Sequence, residues 1–196
     1  MRKELSDMTL EELWQLFPIT LEEHNPNWLI WYKEEEARLL SLFGSAIKQI
    51  DHIGSTYIPG LLAKPIVDIL MQISPAADEK QIKAKLIGDG WLLMAEDAAG
   101  NSFDYNKGYT PDGFAEKVFH LHIRQTSAHD EILFRNYIAA HPEEAVEYAA
   151  LKRRLMAKYK HNRDAYTEGK GDFIRKILRS AQYDNRGGLN DQNSLL

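Results

Sequence analysis

In Ile66-Val67-Asp68-Ile69-Leu70-Met71 every residue but one is apolar. A short, nearly continuous apolar run reads as a strand covered on both faces, because a strand with one wet face alternates apolar and polar residues. Such a strand belongs inside a sheet flanked by helices, which points to the α/β class. The exception, Asp68, is the second constraint. A carboxylate inside an apolar strand costs free energy unless a metal ion or a hydrogen-bonding partner removes that cost.

The residues before this strand narrow the reading. Asp51-His52-Ile53-Gly54-Ser55-Thr56-Tyr57 reads as the end of a strand followed by a small-residue turn. Gly54 accepts dihedrals that other residues resist, so the Gly54–Ser55 pair can bring backbone N–H groups close to an anion. With the hydroxyls of Ser55 and Thr56 this makes a phosphate cradle. Lys64, just before the apolar strand, adds a positive charge. The bland alternative is a tight turn that only joins two strands. A Walker A loop is excluded, since no Gly-Lys-Ser/Thr triplet stands at the required spacing.

The rest of the chain supplies the flanking elements. Thr9 and Glu12 have capping-box spacing, which predicts a helix over 9–16. Pro26 opens a helix over 26–43 that Asn25 caps and Gly44 ends. Strands are expected at 46–53 and 65–73, a helix at 78–88, and strands at 91–94, 103–109 and 117–124. The last of these alternates, with Val118, His120, His122 and Arg124 on one side and Phe119, Leu121 and Ile123 on the other. Helices are expected at 128–140, 142–159 and 163–181, with Pro142 starting the second and Asn162 capping the third. The expected organisation is an N-terminal extension over 1–24, an α/β core over 25–126, a C-terminal helical segment packed on it over 127–182, and a polar, disordered tail over 183–196.

Composition removes several function classes. A net charge of -5 argues against bulk attraction to nucleic acid or to an anionic membrane. The absence of cysteine excludes disulfides, thiolate metal sites and a cysteine nucleophile. The first residues lack the apolar centre of a signal peptide, and no apolar run approaches the roughly 20 residues of a membrane span. A cytoplasmic location with no membrane partner is the expectation.

His120 and His122 share a strand face, which suits two imidazoles reaching one metal or one anionic substrate. The bland alternative is a pair of half-buried histidines bonded to backbone or carboxylates. If the strand neighbours Asp68, the set becomes two nitrogens and one oxygen, which suits zinc, manganese or iron better than magnesium. Imidazole ligates only when neutral, so affinity should fall below a pH of about 6.5. A two-metal site needs further carboxylates, and positions 66 and 70 are Ile66 and Leu70. Glu96, Asp97, Asp104 and Glu116 are the candidates from elsewhere. Lys107, Lys117, Arg124 and Arg135 form a loose basic set that either binds phosphates or is a solvated face. Lys152-Arg153-Arg154 reads as an exposed helix face, and Tyr137, Tyr148, Leu151, Leu155 and Tyr159 as bundle core.

Taken together, His52-Ile53-Gly54-Ser55-Thr56, Ile58-Pro59-Gly60-Leu61 and Ala63-Lys64-Pro65-Ile66-Val67-Asp68-Ile69 resemble the signature of the GrpB family. The resemblance continues through Phe119-His120-Leu121-His122-Ile123, Leu133-Phe134-Arg135-Asn136-Tyr137-Ile138, Ala140-His141-Pro142-Glu143, Tyr148-Ala149-Ala150-Leu151-Lys152, Arg163-Asp164-Ala165-Tyr166-Thr167 and Gly169-Lys170. It covers about residues 24–180. The family is grouped by fold with the nucleotidyltransferases, whose pattern is a hydrophobic-Gly-Gly/Ser turn and then Asp-hydrophobic-Asp/Glu on the next strand. Asp68 alone stands for that carboxylate pair here, with Ile66 at the first position. The resemblance implies a nucleotidyltransferase-like protein that binds a nucleotide or another phosphorylated small molecule. Asp68 would be catalytic, Gly54, Ser55, Thr56, Lys64, Lys107 and His120 would contact phosphate or substrate, and Asp68, His120 and His122 would hold magnesium, manganese or zinc. The alternative is a non-catalytic binding or accessory protein that keeps the fold without the full carboxylate set. On either reading Ser55, Asp68 and His122 should converge on one cleft.

Overall fold

The computed structural model describes residues 3–125 and 130–190. Strands β1 (Ile47–Ile53), β2 (Val67–Ile73), β3 (Leu92–Glu96), β4 (Ser102–Thr110) and β5 (Gly113–Arg124) form one mixed sheet in the order β1-β2-β5-β4-β3. β1 runs antiparallel to β2, β2 parallel to β5, and β4 antiparallel to both its neighbours. The apolar run therefore occupies an interior strand, as its patterning requires.

Period-two alternation sorts the side chains of the three inner strands onto two faces. Helices α2 (Asn27–Phe43) and α3 (Glu79–Gly88) cover the first face. There Trp28, Leu39, Ile82 and Leu86 pack on Val67, Ile69, Met71, Phe119, Leu121 and Ile123. Each fully buried side chain of this kind contributes about 1.5–3 kcal/mol. The second face carries Asp68 and Leu70 from β2, His120 and His122 from β5, and Asp104 and Asn106 from β4. The C-terminal helices α4 (Asp130–Ala140), α5 (Pro142–Tyr159), α6 (Arg163–Glu168) and α7 (Gly171–Asn190) follow. They dock through Ile138, Tyr148, Phe173 and Ile177 on Ile58, Leu61 and Leu62, which lie in the loop between β1 and β2.

Local signals hold up where capping chemistry is explicit. Helix α1 (Leu10–Leu16) has the full capping box, with the Glu12 N–H donating to Thr9 and the Thr9 N–H to Glu12. The Asn25 side chain accepts from the Asn27 N–H at 3.0 Å ahead of α2, and the Asp78 carboxylate caps α3. The helix expected over 163–181 is instead two, α6 and α7, parted at Gly169–Lys170. Helix α7 runs on through Asn190, into the segment expected to be disordered. Residues 191–196, and the expected start of α4 at 128, lie outside the described residues. No described helix is long and apolar enough to cross a membrane.

His52, from β1, stands on the helix-covered face and is 3% exposed. It stacks on Tyr32 with ring centroids 4.8 Å apart, and its Nε2 meets Thr56 Oγ1 at 2.9 Å. Burial holds its pKa at about 4, against about 6.5 in an unfolded chain. The folded value is the lower one, so this stability is complete above about pH 6.5 and is lost as pH falls towards 4. The loss is about 3 kcal/mol from this residue. Urea titrations between neutral pH and pH 4 should therefore show a falling midpoint. His52→Gln should flatten part of that slope, and an unchanged slope would show that His52 does not titrate in this window.

Candidate functional site

The site begins at a glycine. Gly54 has φ 70° and ψ −171°, a combination that side chains oppose. A Cβ there would overlap Asp68 Oδ2 and come within 3.1 Å of Asp68 Cβ and Cγ. The turn after β1 is thus folded directly against the Asp68 carboxylate, and only glycine lets it approach so closely.

Parallel pairing of β2 with β5 sets Asp68 opposite His120. Asp68 Oδ1 lies 3.1 Å from His120 Nδ1 and 3.7 Å from His122 Nε2. The far nitrogens are also held. His122 Nδ1 meets Asp104 Oδ1 at 2.9 Å, and Arg124 joins that carboxylate at 2.9 Å. His120 Nε2 meets Tyr109 Oη and Arg163 Nη2, each at 2.8 Å. A guanidinium only donates, so Nε2 is the bare nitrogen of His120 and its proton sits on Nδ1, pointing at Asp68. The result is one row running Asp104, His122, Asp68, His120, Arg163, joined by hydrogen bonds except for the His122–Asp68 ion pair.

Its electrostatics follow from that row. Burial raises the Asp68 pKa, but the bonds from His120 and His122 outweigh it and hold the carboxyl well below its ordinary value. Burial also favours neutral His122, yet two carboxylates in contact with it lift its pKa to about 9. Its neighbour moves the opposite way. Burial, reinforced by Arg163 and Lys64, drives His120 to about 4 despite Asp68. Near neutral pH the row holds a charged His122 and a neutral His120.

Asp68, His120 and His122 each offer a ligand atom, and these atoms lie within 4.8 Å of one another. The donor set fits a transition ion at Asp68 Oδ and His122 Nε2, with Asp104 behind His122 in the place an outer-shell carboxylate takes. His120 joins only if its proton moves to Nε2, where Arg163 opposes it. A cation must also displace the proton of His122. Metal uptake should then strengthen with pH up to about 9, well above the 6.5 or so expected of an unperturbed histidine.

The other expected contacts divide. Ser55 Oγ accepts from Lys152 Nζ at 3.0 Å, and Lys152 also donates to the Leu62 carbonyl. Asp68 and His122 share a sheet face, and Ser55 follows the glycine that packs against Asp68. The Thr56 hydroxyl is buried against His52. Lys107 is not part of this site. Asn106 pairs with His120, so alternation sends Lys107 to the helix-covered face, where it meets Glu35 at 2.8 Å and Asp89 at 3.0 Å. The loose basic set does not converge either, since Lys117, Arg124 and Arg135 are paired with Glu34, Asp104 and Asp51. Among the four candidate carboxylates Asp104 alone reaches the row. Glu96 pairs with Lys83, Asp97 accepts from the N–H groups of Asn101 and Ser102, and Glu116 is exposed.

Three cations at the site carry no functional role in the sequence reading. Lys152, expected on an exposed helix face, is 3% exposed. Arg163 opens α6, and Lys170 stands between α6 and α7. A signal exists for Lys152, which falls four residues after Tyr148 on the apolar stripe of α5.

The GrpB protein family model matches residues 18–180. The chain belongs to the GrpB family. Among relatives, it is 30% identical over 176 residues to UPF0157 protein YqkA of Bacillus subtilis, covering 88% of this chain and 50% of YqkA, so the chain spans about half the length of that relative. The crystal structure of conserved protein GrpB from Enterococcus faecalis matches with a TM-score of 0.73 and 29% identity, covering 85% of this chain and 99% of that one. A more distant match, 22% identical, is a dephospho-CoA kinase of Mycolicibacterium paratuberculosis, covering 84% of this chain and 46% of the kinase.

Proposed function

We propose that this GrpB-family protein binds a nucleotide or another phosphorylated small molecule in a nucleotidyltransferase-like cleft, with a divalent cation on Asp68 and His122, which His120 joins when its proton moves to Nε2. One observation carries the reading. Asp68 is at once the shared partner of both histidines and the wall against which the Gly54–Ser55 turn closes. Turn and carboxylate are therefore one site, with the Lys152 ammonium on Ser55 to receive an anion. The dephospho-CoA kinase name of a distant relative agrees with a nucleotide-related ligand.

Within the cleft each group has a defined task. Ser55 and Lys152 would receive phosphate oxygens. Asp104 orients His122, and Arg163 with Tyr109 orients His120. A bound divalent cation would supply charge neutralisation at a transferring phosphoryl group. Ile66 and Leu70 leave β2 with one carboxylate, and Arg124 already occupies Asp104. These two facts favour a second reading, a binding or accessory protein without turnover.

Thermal-shift titration with nucleotides, with and without manganese or zinc, tests the proposal. A ligand at about 100 times its Kd stabilises by about 2.7 kcal/mol, a rise of about 5–10 °C for a chain of this size. The cation's share should grow between about pH 6 and pH 9 as His122 gives up its proton. A flat response to every phosphorylated ligand would sink the binding reading. Binding without product release would favour the accessory reading.

A further inference from the structure

Four cations crowd the end of the cleft beside Ser55 and His120, and they come from three stretches of chain. Lys64 leads into β2, Lys152 lies on α5, and Arg163 and Lys170 bracket α6. The ammonium groups of Lys64 and Lys170 stand over the same Tyr166 ring, 5.9 Å and 4.9 Å from its centre. That ring is 1% exposed. Lys152 reaches Ser55 Oγ, and Arg163 bridges Tyr109 and His120. None of the four makes an ion pair among the described residues, whereas Lys83, Lys107, Lys117, Lys176, Arg124 and Arg135 all do.

Such a grouping is costly as it stands. Burial, followed by the repulsion of Arg163 and Lys170, presses the Lys64 pKa down to about 7, and Lys152 falls to about 7 by burial and the fields of Lys170 and Lys64. Asp68 is the carboxylate whose field supports Lys64 and Lys170, and it already serves two histidines. An anion with more than one negative charge would relieve the whole group at once.

We propose that Lys64, Lys152, Arg163 and Lys170 form a single pocket for a doubly charged phosphate group, a phosphate monoester or the end of a pyrophosphate, placed between Ser55 and Tyr166. The assignment rests on the reading of this cleft as the site of a phosphorylated ligand and adds where the phosphate sits and which residues select it. Three ammonium groups supply point charges and the guanidinium supplies directed N–H donors, a set suited to tetrahedral dianions. A monovalent carboxylate would satisfy it only in part. The selecting residues come mainly from the C-terminal helices, so ligand recognition belongs as much to that segment as to the sheet.

The test is calorimetric titration of orthophosphate, pyrophosphate, ATP and acetate into EDTA-treated full-length protein. Wild type should bind pyrophosphate without metal, acetate should not compete, and affinity should weaken as salt is raised. Lys64→Met/Lys170→Met should lose at least about tenfold in affinity, and its urea midpoint should stay level or rise, because repulsion has been removed. Its manganese binding, read by electron paramagnetic resonance, should be retained or tighten, because two positive charges near Asp68 have been removed. Lys152→Met gives a second arm through Ser55. If phosphorylated probes bind wild type and both variants equally, the pocket assignment falls while the phosphorylated-ligand reading survives. If no phosphorylated probe binds wild type either without metal or with manganese restored, both fall.

Discussion

On the proposed reading of Asp68 as a metal ligand, Asp68→Asn should weaken manganese binding by about 100-fold or more, since removing even an outer-shell partner costs about 10–100-fold. The same change should lower stability by about 2–3 kcal/mol at neutral pH, because the amide keeps an acceptor oxygen but loses the negative charge that faces His122 and the adjacent cations. In wild type this contribution has an acid limit. The folded pKa of Asp68 lies below its unfolded value of 3.8, so the stabilisation is complete above that value and is lost as pH falls through the folded one. His122 provides an independent readout. With Asp104 as its remaining carboxylate, its pKa should fall from about 9 towards the ordinary range, visible in an NMR titration of the imidazole protons. Retained metal together with an unmoved His122 would mean that Asp68 is not the hub of the row.

Gly54→Ala should be strongly disruptive for a change of one methyl group. It meets two separate penalties, a positive φ that alanine resists and an overlap with Asp68. Asp68 cannot swing away cheaply, because its side chain is short and both histidines hold it. Each penalty is worth about 1–3 kcal/mol, so the loss should be about 3 kcal/mol or more in urea unfolding. Gly60→Ala is the matched control. Gly60 has φ 76° with nothing within 4 Å of its added methyl, so it should lose about 1 kcal/mol. Equal losses at the two positions would show that backbone strain alone explains Gly54 and that the turn does not press on the carboxylate.

What the sequence makes legible here depends on range. The interior strand is visible because Val67 to Ile73 lacks alternation, and the facing histidines because Phe119 to Arg124 has it. Both signals come from neighbours along the chain. Lys107 was legible too, had the same alternation been applied to β4, since Phe103, Tyr105 and Lys107 share a parity opposed to Asp104 and Asn106. The cation pocket is of another kind. Lys64 and Lys170 become neighbours only through Tyr166, and Lys152 reaches Ser55 across 97 residues of chain. Patterning cannot report a meeting that depends on how helices dock. It offered only one hint, a lysine set among the tyrosines and leucines of α5. The break at Gly169–Lys170 was missed because two helical patterns ran into each other with one glycine between them, and glycine is tolerated inside helices at a modest cost.

The parallel junction between β2 and β5 has a consequence for how the chain reaches this state. β1 with β2, and β3 through β5, are antiparallel sets that each form between strands adjacent in sequence. The junction joins them, and it brings Asp68 to His120 from 52 residues away. Closing that loop carries the larger entropic cost, and local pairing comes first in time. Asp68 is thus made in one half and its histidines in the other, so a single half holds only the Asp104–His122 end of the row. The complete row therefore requires both halves, and the junction that completes it also pairs the edges of β2 and β5 within a single sheet.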